Sequence, residues 1–143
     1  MTSIHQPSKA ARVTGYVLSA IATLFMLMDG GMKLVCPPFV VQASAPLGYT
    51  SVETLRIIGA VLLVFTILYV IPRTAVLGAI GITGFLGGAI EANVRAGTPL
   101  FNLAFPLIFA VLVWSGLWLR NLRLRALVPL QQCASTASGT IAV

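Results

Sequence analysis

The chain carries three carboxylates, Asp29, Glu53 and Glu91, and each is followed by a base: Lys33, Arg56 and Arg95 respectively. Spacings of three or four residues put both members of a pair on one helix face. A carboxylate in apolar surroundings, tuned by burial and a nearby cation, can act as a general acid or base. Asp29 and Glu91 are therefore candidate catalytic residues, with Lys33 or Arg95 setting their protonation. Such chemistry suits isomerisation or hydrolysis of a lipophilic substrate, for example an epoxide or a terpenoid, with no cofactor. The alternative is structural: ion pairs at a membrane boundary that fix topology and helix packing. "TSVETLR" (residues 50–56) favours the structural role for Glu53 and Arg56, because it reads as a helix start capped by Ser51 or Thr50.

These residues must be held by membrane helices. Of 143 residues, 58% are hydrophobic and only 8% charged, against about 25% charged in a soluble domain. Uncharged runs cover residues 13–28, 57–72, 74–90 and 96–119. Runs of this length argue for membrane spans. Spans are expected over about residues 12–35, 52–71, 74–94 and 100–119, within a transmembrane domain of 12–125. Residues 1–11 are expected to be a disordered tail and 126–143 a flexible one. A cleaved signal peptide is not expected. The small-x-small site at "ASAP" (residues 43–46) lies too far beyond the first apolar run.

The fold class is thus all-α, a membrane-spanning four-helix bundle. The segment "CPPFVVQASAPLGYTS" (residues 36–51) contains Pro37, Pro38 and Pro46, which break any long helix. Its apolar middle suits an interfacial position or a fold back between helices. "IPRT" (residues 71–74) joins the second and third spans as a tight hairpin. With both termini cytoplasmic, Lys9, Arg12, Arg73, Arg120, Arg123 and Arg125 lie inside, and Lys33, Arg56 and Arg95 outside. All three carboxylates then fall at the outer ends of spans, so the inner side carries the whole net charge of +6. That excess is a topology signal, and "RNLRLR" (residues 120–125) meets anionic lipid rather than nucleic acid.

Sixteen helical residues reach only ~24 Å, less than the roughly 30 Å hydrocarbon layer. Asp29, Arg56 and Glu91 therefore start before the apolar layer ends and should prefer the bundle interior to lipid. Gln42, Asn93 and Asn102 are polar neighbours at the same end. A polar pocket opening outward is expected, with Lys33, Gln42, Arg56, Asn93, Arg95 and Asn102 as ligand-binding candidates.

Gly78, Gly81, Gly84 and Gly87 recur every three residues, and Gly84 and Gly88 form a G-x-x-x-G pair. Small residues let helices approach in lipid, so close packing is expected; a passage along the glycine face is the alternative. Trp114 and Trp118, with Arg120 beyond them, read as an interfacial belt. Cys36 and Cys133 form neither a redox pair nor a ligand cluster. The sole histidine, His5, and the methionines Met26, Met28 and Met32 are poor metal ligands, so no metal is expected.

The segments "ARVTGYVLSAIATLFMLMDGGMKLV", "LGYTSVETLRIIGAVLLVFTILYVIPRTAVLGAI", "GFLGGAIEANVRAGTPLF" and "WSGLWLRNLRLRALVPL" resemble the DoxX-like family of small four-helix membrane proteins over about residues 11–130. The most recognisable pieces are G-x-x-K-L, here residues 30–34, and the pair "LGY" (47–49) and R-x-x-G (56–59). The resemblance implies association with membrane redox systems, and a quinone as a cofactor. It supplies no catalytic residues. The expected function is a membrane subunit or accessory protein of the cell membrane, binding a quinone-like or other lipophilic ligand. Its partners would be the bilayer, a membrane or peripheral oxidoreductase, and further copies of itself. An intramembrane acid–base enzyme and a proton-coupled transporter are the alternatives.

Overall fold

A computed structural model describes residues 9–121 and residue 124. Helices α1 (Lys9–Val35), α2 (Pro38–Ser44), α3 (Val52–Val70), α4 (Ala75–Arg95) and α5 (Leu100–Arg120) follow in order, and a 3-10 turn (Ala45–Leu47) succeeds α2. No strand occurs among the described residues. The helices α1, α3, α4 and α5 are each long and apolar enough to cross a membrane. The protein is an all-α, membrane-spanning four-helix bundle.

Element boundaries follow local chemistry. Residues 9–11, expected in the polar tail, form the first turn of α1. His5, Arg123, Arg125, Cys133 and the expected tail at 126–143 lie outside the described residues. At the other end of α1, Pro37 disfavours helical backbone at the residue before it. At this junction Cys36 turns left-handed, with φ of 51°. Its thiol donates to the Lys33 carbonyl at 2.7 Å, serving one of the carbonyls left open at the helix end. Ser51 stands at the N-cap of α3, as expected, but its hydroxyl makes no capping hydrogen bond. Gly97, with φ of 64°, follows α4 and turns the chain towards α5.

The four long helices form a ring in which α1 packs on α3 and α5, and α4 on α3 and α5. Small residues set each close approach. A Cβ added at Gly59 would lie 2.8 Å from the Gly30 carbonyl and from Lys33 Cβ. The α1–α3 crossing therefore depends on the bare backbone at that point. Gly116 lies equally close to Ser19, which brings α5 against α1.

The glycine row on α4 is divided rather than uniformly packed. Gly78 lies against the Tyr69 backbone and Gly81 against the Phe65 ring, whereas Gly84, Gly87 and Gly88 have no neighbour within 4 Å of an added Cβ. For Gly84 and Gly87 the reason is helical geometry. A spacing of three falls short of a full turn by about 60°, so the row rotates from the α3 side to the outer surface.

Polar side chains inside the bundle join helices. The Tyr69 hydroxyl donates to the Val113 carbonyl at 2.9 Å, so the 3.0 Å bond from Ser19 Oγ must run towards the tyrosine oxygen. On the outer face, the Trp114 indole donates to Thr83 Oγ1 at 2.9 Å. Trp114 thus ties α5 to α4, beyond its expected place in a belt. Arg120 donates to the Tyr69 carbonyl at 2.8 Å, and its guanidinium lies 4.6 Å from the centre of the Tyr69 ring. It closes the end of α3, together with Thr74 Oγ1, which donates to the Leu68 carbonyl at 2.8 Å.

Candidate functional site

At the end of the bundle that carries Asp29, the helices part around a cavity of about 710 Å³. Ligand cavities are commonly 300–1,000 Å³, roughly, and mostly apolar with a few placed polar groups. This one conforms. Phe25 and Met26 of α1, Leu55 and Ile58 of α3, Phe85 and Leu86 of α4, and Phe105 and Phe109 of α5 form its walls. Phe39, Val40 and Ser44 of α2, with Leu47 and Tyr49 beyond it, close over the end. Phe25 stacks on Phe109 with ring centres 4.0 Å apart, and Phe105 meets both rings edge-on or tilted. These contacts make a rigid aromatic wall between α1 and α5.

Asp29 and Lys33 both line the cavity. They form an ion pair one turn apart on α1. Their side chains retain 31% and 20% of their accessible surface, so the pair faces the cavity without being sealed from it. Its position follows from the Gly30–Gly59 approach, which lets α1 and α3 cross beside Lys33. The pair offers a donor and an acceptor with no net charge.

Asn93 and Asn102 also line the cavity. The Asn93 amide is engaged at its own helix end. Its Nδ2 donates to the Ala89 carbonyl at 2.8 Å, and its Oδ1 accepts from Thr98 at 2.9 Å. Asn102 is exposed near the start of α5. Its main-chain carbonyl receives no N–H from four residues on, because that residue is Pro106.

The remaining expected site residues lie elsewhere. Glu91 and Arg95 are exposed on α4, with 3.8 Å between their charged atoms, and neither lines the cavity. Arg95 instead donates to the Leu47 carbonyl at 3.4 Å and holds the turn after α2 over the site. Gln42 and Arg56 are exposed and outside the cavity lining. Glu53 and Arg56 make no ion pair among those the described residues form. The structure thus gathers Asp29, Lys33, Asn93 and Asn102, and separates Glu91 from them.

The aromatic wall was absent from the sequence-based expectation. A signal for it exists: Phe101, Phe105 and Phe109 recur every four residues and so share one face of α5. Tyr49 and Leu47 flank Gly48, which takes φ of 89°, and both line the cavity.

Comparison with curated proteins and with solved structures finds no match. The DoxX-like family matches residues 17–116, a stretch that includes Asp29, Lys33 and the whole cavity lining. The motif residues sit where that wall is built: Gly30 against Gly59, Lys33 on the wall, Leu47 and Tyr49 across its end. This four-helix, multi-pass membrane protein belongs to the DoxX-like family.

Proposed function

We propose that the protein binds a neutral, quinone-like lipophilic ligand in this cavity and serves as a membrane subunit or accessory protein of a redox system. The carrying observation is the 710 Å³ cavity, walled by aromatic rings, with the Asp29–Lys33 pair on its side. The donor set fits the group. Lys33 can donate to a quinone carbonyl, and Asp29 can accept from the hydroxyl of the reduced form. Phe25, Phe85, Phe105 and Phe109 offer faces and edges to a planar ring. A bound quinone supplies two-electron, two-proton redox capacity. The pair's zero net charge disfavours an anionic or cationic head group, whose charge would stay uncompensated in an apolar site.

The described residues contain no cluster of His, Cys, Asp or Glu suited to a metal ion. In this reading electrons come from a partner oxidoreductase, membrane-bound or peripheral, and the bundle holds the ligand. The positive-inside pattern supports both termini being cytoplasmic, which turns the cavity outward. Two-carboxylate acid–base chemistry draws no support from the geometry, because Glu91 is outside the cavity lining. The transporter reading draws on no specific feature of the site.

The test is retention of a short-chain benzoquinone by protein in nanodiscs, in wild type, Lys33→Gln and Asp29→Asn. Retention should fall about tenfold when Lys33 is replaced, the loss of one charge-assisted hydrogen bond. Equal retention in all three overturns the assignment of the pair to the ligand site.

A further inference from the structure

We infer that the cavity is loaded sideways from the bilayer, through a window between α3 and α4 whose α4 side is bare at Gly88. This inference rests on the proposed lipophilic ligand but concerns the route and not the ligand's identity.

The argument starts from the hairpin. The tight turn at residues 71–74 joins α3 and α4 at the end remote from the cavity. There the two backbones touch, and Gly78 lies against Tyr69. One turn on, Gly81 lies against the Phe65 ring. Gly88 stands two turns beyond Gly81 on the same flank, since seven residues is nearly two whole turns. Yet nothing lies within 4 Å of a Cβ placed at Gly88. The two helices have diverged between these points.

Gly88 is exposed and also lines the cavity. So does Ile58 line it, from the α4-facing flank of α3 that also presents Phe65. The space between them therefore joins the cavity to the bundle's flank. Its frame is complete. Phe65 and Gly81 close it below, and the Arg95 bond to the Leu47 carbonyl closes it above. Gly88 lies seven residues from Arg95, ~10 Å along the helix axis. That depth is within the apolar layer, so the window faces acyl chains rather than water. A ligand using it must be dissolved in the membrane.

Gly88→Leu tests the route. A Cβ at this position meets no neighbour within 4 Å, and leucine favours helix over glycine, so the helix tolerates the change while the longer side chain reaches into the window. Gly84→Leu is the control: Gly84 is equally open but lines no part of the cavity. A reporter cysteine is placed across the cavity by Met32→Cys, with Cys36→Ser and Cys133→Ser to remove other thiols. Two reagents are compared in liposomes: a long-chain N-alkyl maleimide dissolved in the bilayer, and a charged, membrane-impermeant thiol reagent. Gly88→Leu should slow alkyl-maleimide labelling about tenfold or more and leave the charged reagent within about twofold, while Gly84→Leu changes neither. Unchanged alkyl-maleimide labelling in Gly88→Leu overturns the window. Equal slowing of both reagents also overturns it, since the cavity itself would then be blocked. Because labelling needs no quinone, an absence of quinone retention by wild type together with selective slowing in Gly88→Leu would sink the ligand reading and leave the window standing.

Discussion

Lys33 and Asp29 form an ion pair on the cavity wall, one turn apart on α1. Each is the other's charge compensation in an apolar setting. Asp29→Asn leaves an ammonium without its partner, and Lys33→Gln leaves a carboxylate. Both groups keep part of their accessible surface, which weakens the penalty relative to a fully buried pair. Each single change should cost about 1–2 kcal/mol of stability, and the double change less than the sum. Unfolding in mixed detergent measures all four proteins. Simple additivity would show that the two charges act independently.

The α4 glycines divide by function, and alanine substitution separates them. Gly78→Ala forces a methyl group into the Tyr69 backbone and should destabilise the bundle by about 1–3 kcal/mol or more. Gly84→Ala meets nothing and should be neutral or stabilising, by up to about 1 kcal/mol, through helix propensity. Thermal unfolding of the two variants in detergent checks the contrast. Equal losses would mean that the outer glycine face is packed in the membrane, as it would be in a homo-oligomer.

The buried bond between Ser19 and Tyr69 should add modestly to stability. Tyr69→Phe removes the donor to the Val113 carbonyl and the acceptor for Ser19. Its cost should be about 0.5–2 kcal/mol, since bonds between membrane helices average well below the vacuum value. Ser19→Ala should cost less, because the tyrosine keeps its carbonyl partner. The same detergent unfolding assay ranks the two, and a larger loss for Ser19→Ala contradicts the donor assignment.

Arg95 acts on the cover of the cavity and not on its lining. Arg95→Gln releases the Leu47 carbonyl. The Gly48 and Tyr49 amides, bonded to the Ala45 and Ser44 carbonyls, should then exchange with deuterium roughly threefold faster or more, by local opening. Amides in the middle of α3 should not change. Hydrogen exchange read by mass spectrometry resolves the two regions.

Much of the architecture was legible in the sequence. The four apolar blocks and the prolines after residue 36 place the helices, because a chain in lipid must satisfy its backbone within each helix. Asp29 and Lys33 were legible as a pair, since their spacing is a property of one helix. The fate of Glu91 was not. Its pairing with Arg95 was equally readable, but which way that helix face turns depends on how α4 packs against α3 and α5.

The sequence by itself determined the solvent, the helices, and the local pairs within them, all of which depend on residues close along the chain. Only the tertiary structure decided which faces meet. It brought Gly30 to Gly59, so that Lys33 and Asp29 border a cavity, and it turned Glu91 outward. It also parted α3 from α4 at Gly88 after holding them together at Gly81. The physical reason is that every glycine on α4 offers the same freedom to approach. Which of them is used depends on helix rotation and crossing, and those are set by side chains on the neighbouring helices.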